Sequence, residues 1–237
     1  WRLIETASFL IVTPLRMASQ PAFAALRREG QGGHGSLLSD LSRISSFLAF
    51  PAFAGLAALA APVLLMVFGP GWTPAAQPLA VLGVAGAYYC VEKVQLSFGL
   101  AMGRAGAFAL LGWATVAALA LACGIAVHRG APAVAAAFVG TLLAFWPLRT
   151  MILSRLSGVS VPALFRPHLL PLLGAVPMAL IVAQMPSHLW HLIPDARPVV
   201  VVLVAVATGV TLYAGFTLIF MRDRLKLFLA LFSNVGN

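Results

Sequence analysis

From Ile44 to Val91 the chain runs for 48 residues without a charged side chain, and the group Phe68-Gly69-Pro70-Gly71-Trp72 interrupts that run near its middle. A helix rises about 1.5 Å per residue, so roughly 20 apolar residues cross a hydrocarbon core about 30 Å thick. The run therefore holds two membrane crossings joined by a turn. Composition extends this reading to the rest of the chain, with 61% hydrophobic residues and 9% charged ones among 237. Soluble domains carry about 25% charged residues, and a chain of this length cannot enclose six or seven such apolar runs in water.

Charge-free runs, bounded by Gly, Pro and charged residues, place seven spans. They are residues 3–26, 44–68, 74–103, 105–127, 131–148, 164–185 and 198–221. The fold class is thus all-α, a polytopic membrane helix bundle of about seven transmembrane helices. Pro167, Pro171 and Pro177 predict kinks in the sixth span. Residues 222–237 form a cytoplasmic basic amphipathic tail that lies along the interface. The opening Trp1-Arg2-Leu3 has no initiator Met and no signal-peptide pattern, so the chain reads as a fragment whose missing part lies upstream.

The net charge of +9 is first a topological signal, because cytoplasmic connections collect Lys and Arg. Arg27, Arg28, Arg43, Arg104, Arg149, Arg155, Arg166, Arg222, Arg224 and Lys226 fall on one side, while Arg2, Arg129 and Arg197 fall on the other. The start of the chain is accordingly expected outside and the C-terminus in the cytoplasm. Membrane lipids are the expected partners of the basic side, and no nucleic acid is expected.

Several local patterns carry less. Gly30-Gln31-Gly32-Gly33-His34-Gly35 spells G-x-G-x-x-G, but a dinucleotide site needs a strand before it and a helix N-terminus after it, so a flexible loop is expected. His188, His191 and Asp195 fall short of a metal site in ligand number, and Cys90 and Cys123 sit inside apolar runs, so neither metal nor cofactor is expected. No nucleophile and base or paired carboxylates can be assembled from connections this short, and no enzyme activity is expected. Gly99 and Gly103 stand four residues apart and would let another helix approach closely.

Ionisable residues within spans are more informative, since each costs roughly 2.5–3.5 kcal/mol at the bilayer centre on insertion scales. At 100° per residue, Glu5, Thr13, Arg16 and Gln20 share one side of the first span, and Tyr88, Glu92, Gln95 and Gly99 share one side of the third. In one reading Arg16 and Glu92 pair with neighbouring helices while Lys93 extends to the interface. In the other, both stripes line a hydrated substrate cavity, with Arg16 holding an anionic group and Glu92 a cation, a proton or a sugar hydroxyl.

Three segments give the chain a family resemblance. Pro21-Ala22-Phe23-Ala24-Ala25-Leu26-Arg27 ends a helix at a basic turn, Phe68-Gly69-Pro70-Gly71-Trp72 precedes Ala75, Ala76 and Leu79, and Leu100-Ala101-Met102-Gly103-Arg104 closes the next helix. In these the chain resembles the polysaccharide transporter (Wzx-like) flippases of the multidrug/oligosaccharidyl-lipid/polysaccharide superfamily, most closely over residues 14–106. The resemblance implies the carboxyl-terminal lobe of a two-lobed transporter of the bacterial inner membrane. It further implies an undecaprenyl-pyrophosphate-linked sugar repeat unit as substrate, and other polysaccharide-assembly membrane proteins as partners. Arg16 would then suit the pyrophosphate, whose oxygens match an arginine fork better than a lysine point charge.

Three rival functions stand beside this one. A cation-coupled multidrug exporter of the same superfamily would favour acidic cavity residues, and Arg16 argues against it. A membrane glycosyltransferase or polymerase would present a sizeable outer loop, whereas the longest outer connection expected here runs from Pro186 to Arg197. A noncatalytic assembly partner would use the polar stripes for helix association alone.

Overall fold

The computed structural model describes residues 4–6, 9, 13, 19–21, 23–25, 34–193 and 197–220. The described residues up to 25 are helical, and from there the elements are α1 (His34–Ala58), α2 (Ala60–Phe68), α3 (Ala76–Ala101), α4 (Ala105–Ala126), α5 (Ala131–Ser157), α6 (Val161–Leu192) and α7 (Pro198–Phe220). No strand occurs among the described residues. Within them six helices are long and apolar enough to cross a membrane, so this is a multi-pass helical membrane protein. Most of the expected first span lies outside the described residues, as do the tail from Met221 onward, Arg16, Asp195 and Gly30 to Gly33.

The expected second span begins ten residues early and is divided. Helix α1 already starts at His34, which brings Arg43 inside a helix instead of ahead of one. It gives way to α2 at Leu59 because Pro62 supplies no N–H to the Ala58 carbonyl and its ring crowds that carbonyl. Hydrogen bonding continues on either side of the break, with Leu59 N–H on Gly55 O and Val63 N–H on Leu59 O, both at 2.9 Å. Pro51 frees a second carbonyl four residues back, at Phe47. Here α7 supplies the missing donor, as the Tyr213 hydroxyl donates to Phe47 O at 3.1 Å.

Between α2 and α3 lies the turn seen in the sequence. Gly69 adopts φ 85° and ψ −179°, a backbone region essentially confined to glycine. Pro70–Ala75 then forms a short 3₁₀ turn, in which Thr73 Oγ1 donates to Pro70 O at 2.7 Å. The rings of Phe68 and Trp72 pack 5.3 Å apart and remain exposed, as aromatic side chains do at a membrane interface.

Helix α1 lies between α3 and α6; α3 also packs on α5, α5 on α4, and α6 on α7. Small residues allow the close contacts, as expected where lipid supplies no hydrophobic drive between helices. The Phe53 ring of α1 sits over Gly86 of α3, and the Phe108 ring of α4 sits over Gly99 of α3. Gly99 is therefore a packing notch, while Gly103 turns the chain at φ 75°. Phe23 of the first segment meets Phe98 of α3 edge-on at 5.2 Å, joining a buried cluster with Val94, Phe108, Leu153 and Leu164. Outward faces are apolar instead of charged, with Trp113, Leu121, Leu173, Leu203 and Val210 all exposed.

Helices α5 and α6 both outrun their expected spans. The fifth was placed at residues 131–148, yet α5 continues to Ser157 and ends on Gly158, whose left-handed conformation (φ 70°) lets its N–H reach Ser154 O. Arg149, expected in a cytoplasmic connection, is thereby carried into the bundle. Helix α6 extends from Val161 to Leu192, so Arg166 is also helical, and the outer connection is shorter than expected.

Candidate functional site

Helix α3 brings Tyr88, Glu92 and Gln95 to one face, since residues three and four apart are neighbours on a helix. That face turns into the lobe, and all three side chains are buried. Opposite them α5 presents Arg149, whose Nη1 donates to Glu92 Oε1 in a close ion pair. Glu92 is 8% exposed and Arg149 7%. Lys93 is 43% exposed along its side chain, and its Nζ lies 3.9 Å from Glu92 Oε2. The helix can run on through Arg149 because the carboxylate neutralises it; alone, the arginine would carry the insertion cost unrelieved.

An aromatic row leads from this pair toward α1 and α6. Tyr88 packs edge-on against Trp146 with centroids 5.8 Å apart, and Trp146 packs on Phe165 at 5.2 Å and on His168 at 5.7 Å. His168 Nδ1 lies 2.5 Å from Ser46 Oγ, while Ser46 Oγ donates to Ser42 O at 2.7 Å. A hydroxyl has one proton to give. With that proton on the Ser42 carbonyl, the Ser46 contact suits the imidazole tautomer protonated on Nδ1.

These groups lie at a common depth. Glu92 and Arg149 precede the ends of α3 and α5 by similar lengths, and His168 follows the start of α6 by a comparable one. At 1.5 Å per residue each is about 10–14 Å from the same end of the bundle. Beside them a cavity of about 400 Å³, between α1, α3, α5 and α6, is walled by Phe50, Tyr88, Trp146, Phe165 and His168. Its rim includes Val84, Leu169 and Val176, which are exposed on the apolar surface.

The described members of the two stripes read from the sequence differ in exposure. Glu5 and Gln20 are exposed and Thr13 is half-buried, while Ile4, Ser19 and Phe23 of the same segment are buried. Glu5 and Gln20 thus face away from the bundle, while Tyr88, Glu92 and Gln95 face into it. Arg16, the charged centre of the first stripe, lies outside the described residues. Sequence reasoning missed Arg149, Trp146, His168 and Ser46 as members of the polar cluster. The available signal was Arg149 itself, a cation only one residue beyond the expected end of an apolar span.

Among the described residues no group of His, Cys, Asp and Glu could hold a metal ion. No curated protein and no solved structure matches the chain. A family model does match, described as polysaccharide biosynthesis protein, over residues 2–77. That stretch holds the first segment, α1, α2 and the Gly69-Pro70 turn, and polysaccharide biosynthesis proteins are what this part of the chain is similar to.

Proposed function

We propose that the chain forms the carboxyl-terminal lobe of a lipid-linked oligosaccharide flippase in a bacterial inner membrane. It moves undecaprenyl-pyrophosphate-linked repeat units between leaflets by alternating access and carries out no bond chemistry. The observation that carries this reading is the match of residues 2–77 to polysaccharide biosynthesis proteins, in a chain whose described residues include six helices long and apolar enough to cross a membrane. The outward face of the first segment, with Glu5 and Gln20 exposed, supports a polar cavity wall there. Arg16 belongs to the same stripe by helical spacing and is assigned the pyrophosphate.

In this reading the two stripes have separate duties. Thr13, Arg16 and Gln20 meet substrate. Tyr88, Glu92 and Gln95 organise the lobe behind that wall through the bond to Arg149.

Complementation of a polysaccharide-export defect by the full-length protein tests the assignment. Arg16→Ala should abolish export and leave lipid-linked intermediates on the cytoplasmic face, and it should weaken binding of a pyrophosphate-lipid by the purified protein. Normal export by both Arg16→Ala and Gln20→Ala would remove the proposed cavity wall.

A further inference from the structure

Three polar atoms around the ion pair have no hydrogen-bond partner among the described residues: Glu92 Oε2, Gln95 Oε1 and Arg149 Nε. Each belongs to a side chain at least nine-tenths buried, Gln95 being only 2% exposed. They are also neighbours in the fold. Arg149 Nε is part of the guanidinium that binds Glu92 Oε1, and Gln95 is one helical turn from Glu92 on the same face of α3.

A buried donor or acceptor left unmatched gives up its hydration without return, so three together call for a ligand. Charge narrows its chemistry. Glu92, Arg149 and Lys93 already sum to one net positive charge, so a further cation is repelled, and an anion would have to displace Glu92 from its arginine. What fits is a small neutral molecule that donates to two oxygens and accepts from one N–H. That is the bonding capacity of water, which typically makes about three hydrogen bonds when buried.

We propose that Glu92, Gln95 and Arg149 hold bound water inside the membrane-spanning bundle, reached beside the half-exposed Lys93. The site is independent of the transport reading and would exist in any protein with this bundle. Its consequence is that a carboxylate at membrane depth keeps contact with solvent.

X-ray hydroxyl-radical footprinting of the full-length protein in lipid nanodiscs reads this directly, because radiolysis of a bound water labels adjacent side chains even where bulk solvent is excluded. Tyr88, one turn from Glu92, should be labelled well above Phe98, which is also buried on α3 but lies in the apolar cluster. The joint variant Glu92→Met/Arg149→Leu should bring Tyr88 down to the Phe98 level, and Gln95→Leu should lower it in an otherwise intact pair. Tyr88 labelling no higher than that of Phe98 in the unaltered protein overturns the proposal. So does Tyr88 labelling that both variants leave unchanged.

Discussion

Arg149 and Glu92 illustrate how one residue's energetics depends on another. A buried ion pair has already given up the hydration of both charges, so removing one partner strands the other. Glu92→Leu and Arg149→Leu are each expected to destabilise the protein by about 3–5 kcal/mol. The joint replacement Glu92→Met/Arg149→Leu is expected near neutral, as thermal unfolding in detergent would show. If the two single costs simply add in the joint variant, the residues are not partners. Tyr213 offers a second cycle at this scale. Tyr213→Phe should cost about 0.5–1.5 kcal/mol, and this should fall toward zero in a Pro51→Ala background, where the new N–H satisfies the Phe47 carbonyl. Glu92 and its face of α3 were legible in the sequence because helical spacing alone places Tyr88, Glu92 and Gln95 together. Arg149 was not, since a charge beyond an apolar run reads as the end of a span unless its partner on another helix is known. Ser46 and His168 are 122 residues apart, and no local pattern links them.

At the scale of elements, turn chemistry was the most legible part of the chain, because its causes are local. Gly69-Pro70 fixes a backbone shape that no distant contact needs to enforce, so the turn expected there is present. Gly69→Ala should cost about 1–3 kcal/mol through its backbone conformation alone, although the space around Gly69 is open. Gly99→Ala should destabilise for the opposite reason, since the added methyl meets the Phe108 ring. Relief in the pair Gly99→Ala/Phe108→Ala, with none for Gly69→Ala/Phe108→Ala, would separate the two causes. Helix ends were less legible. The sequence offers charged residues as boundaries, whereas α1 starts ahead of Arg43 and α5 continues past Arg149. The break at Leu59 went unread as well, although Pro62 provides its cause.

For the whole molecule, hydropathy was enough to give an all-helical membrane bundle, because a hydrocarbon solvent leaves few ways to satisfy a backbone. Neighbour relations among the helices depend on notches such as Gly86 and Gly99; Gly99 was legible as a point of close approach, but the Phe108 ring that fills it was not. Position in the bilayer has a clear optical test. Trp113 is exposed at 74% while Trp146 is half-buried and packed against Tyr88, Phe165 and His168. Lipids brominated on their acyl chains should therefore quench a variant retaining only Trp113 much more strongly than one retaining only Trp146. Equal quenching would mean that α4 does not face lipid.

The bond between α3 and α5 also bears on how the protein is made. Helix α3 leaves the ribosome before α5, so Glu92 is already in the bilayer when Arg149 arrives at the insertion machinery. An arginine that would otherwise weigh against insertion of its own segment finds a waiting counter-charge. Glu92→Leu should therefore leave a fraction of chains with the α4–α5 hairpin incorrectly inserted, a failure of biogenesis that glycosylation-site mapping would register before any loss of folded stability.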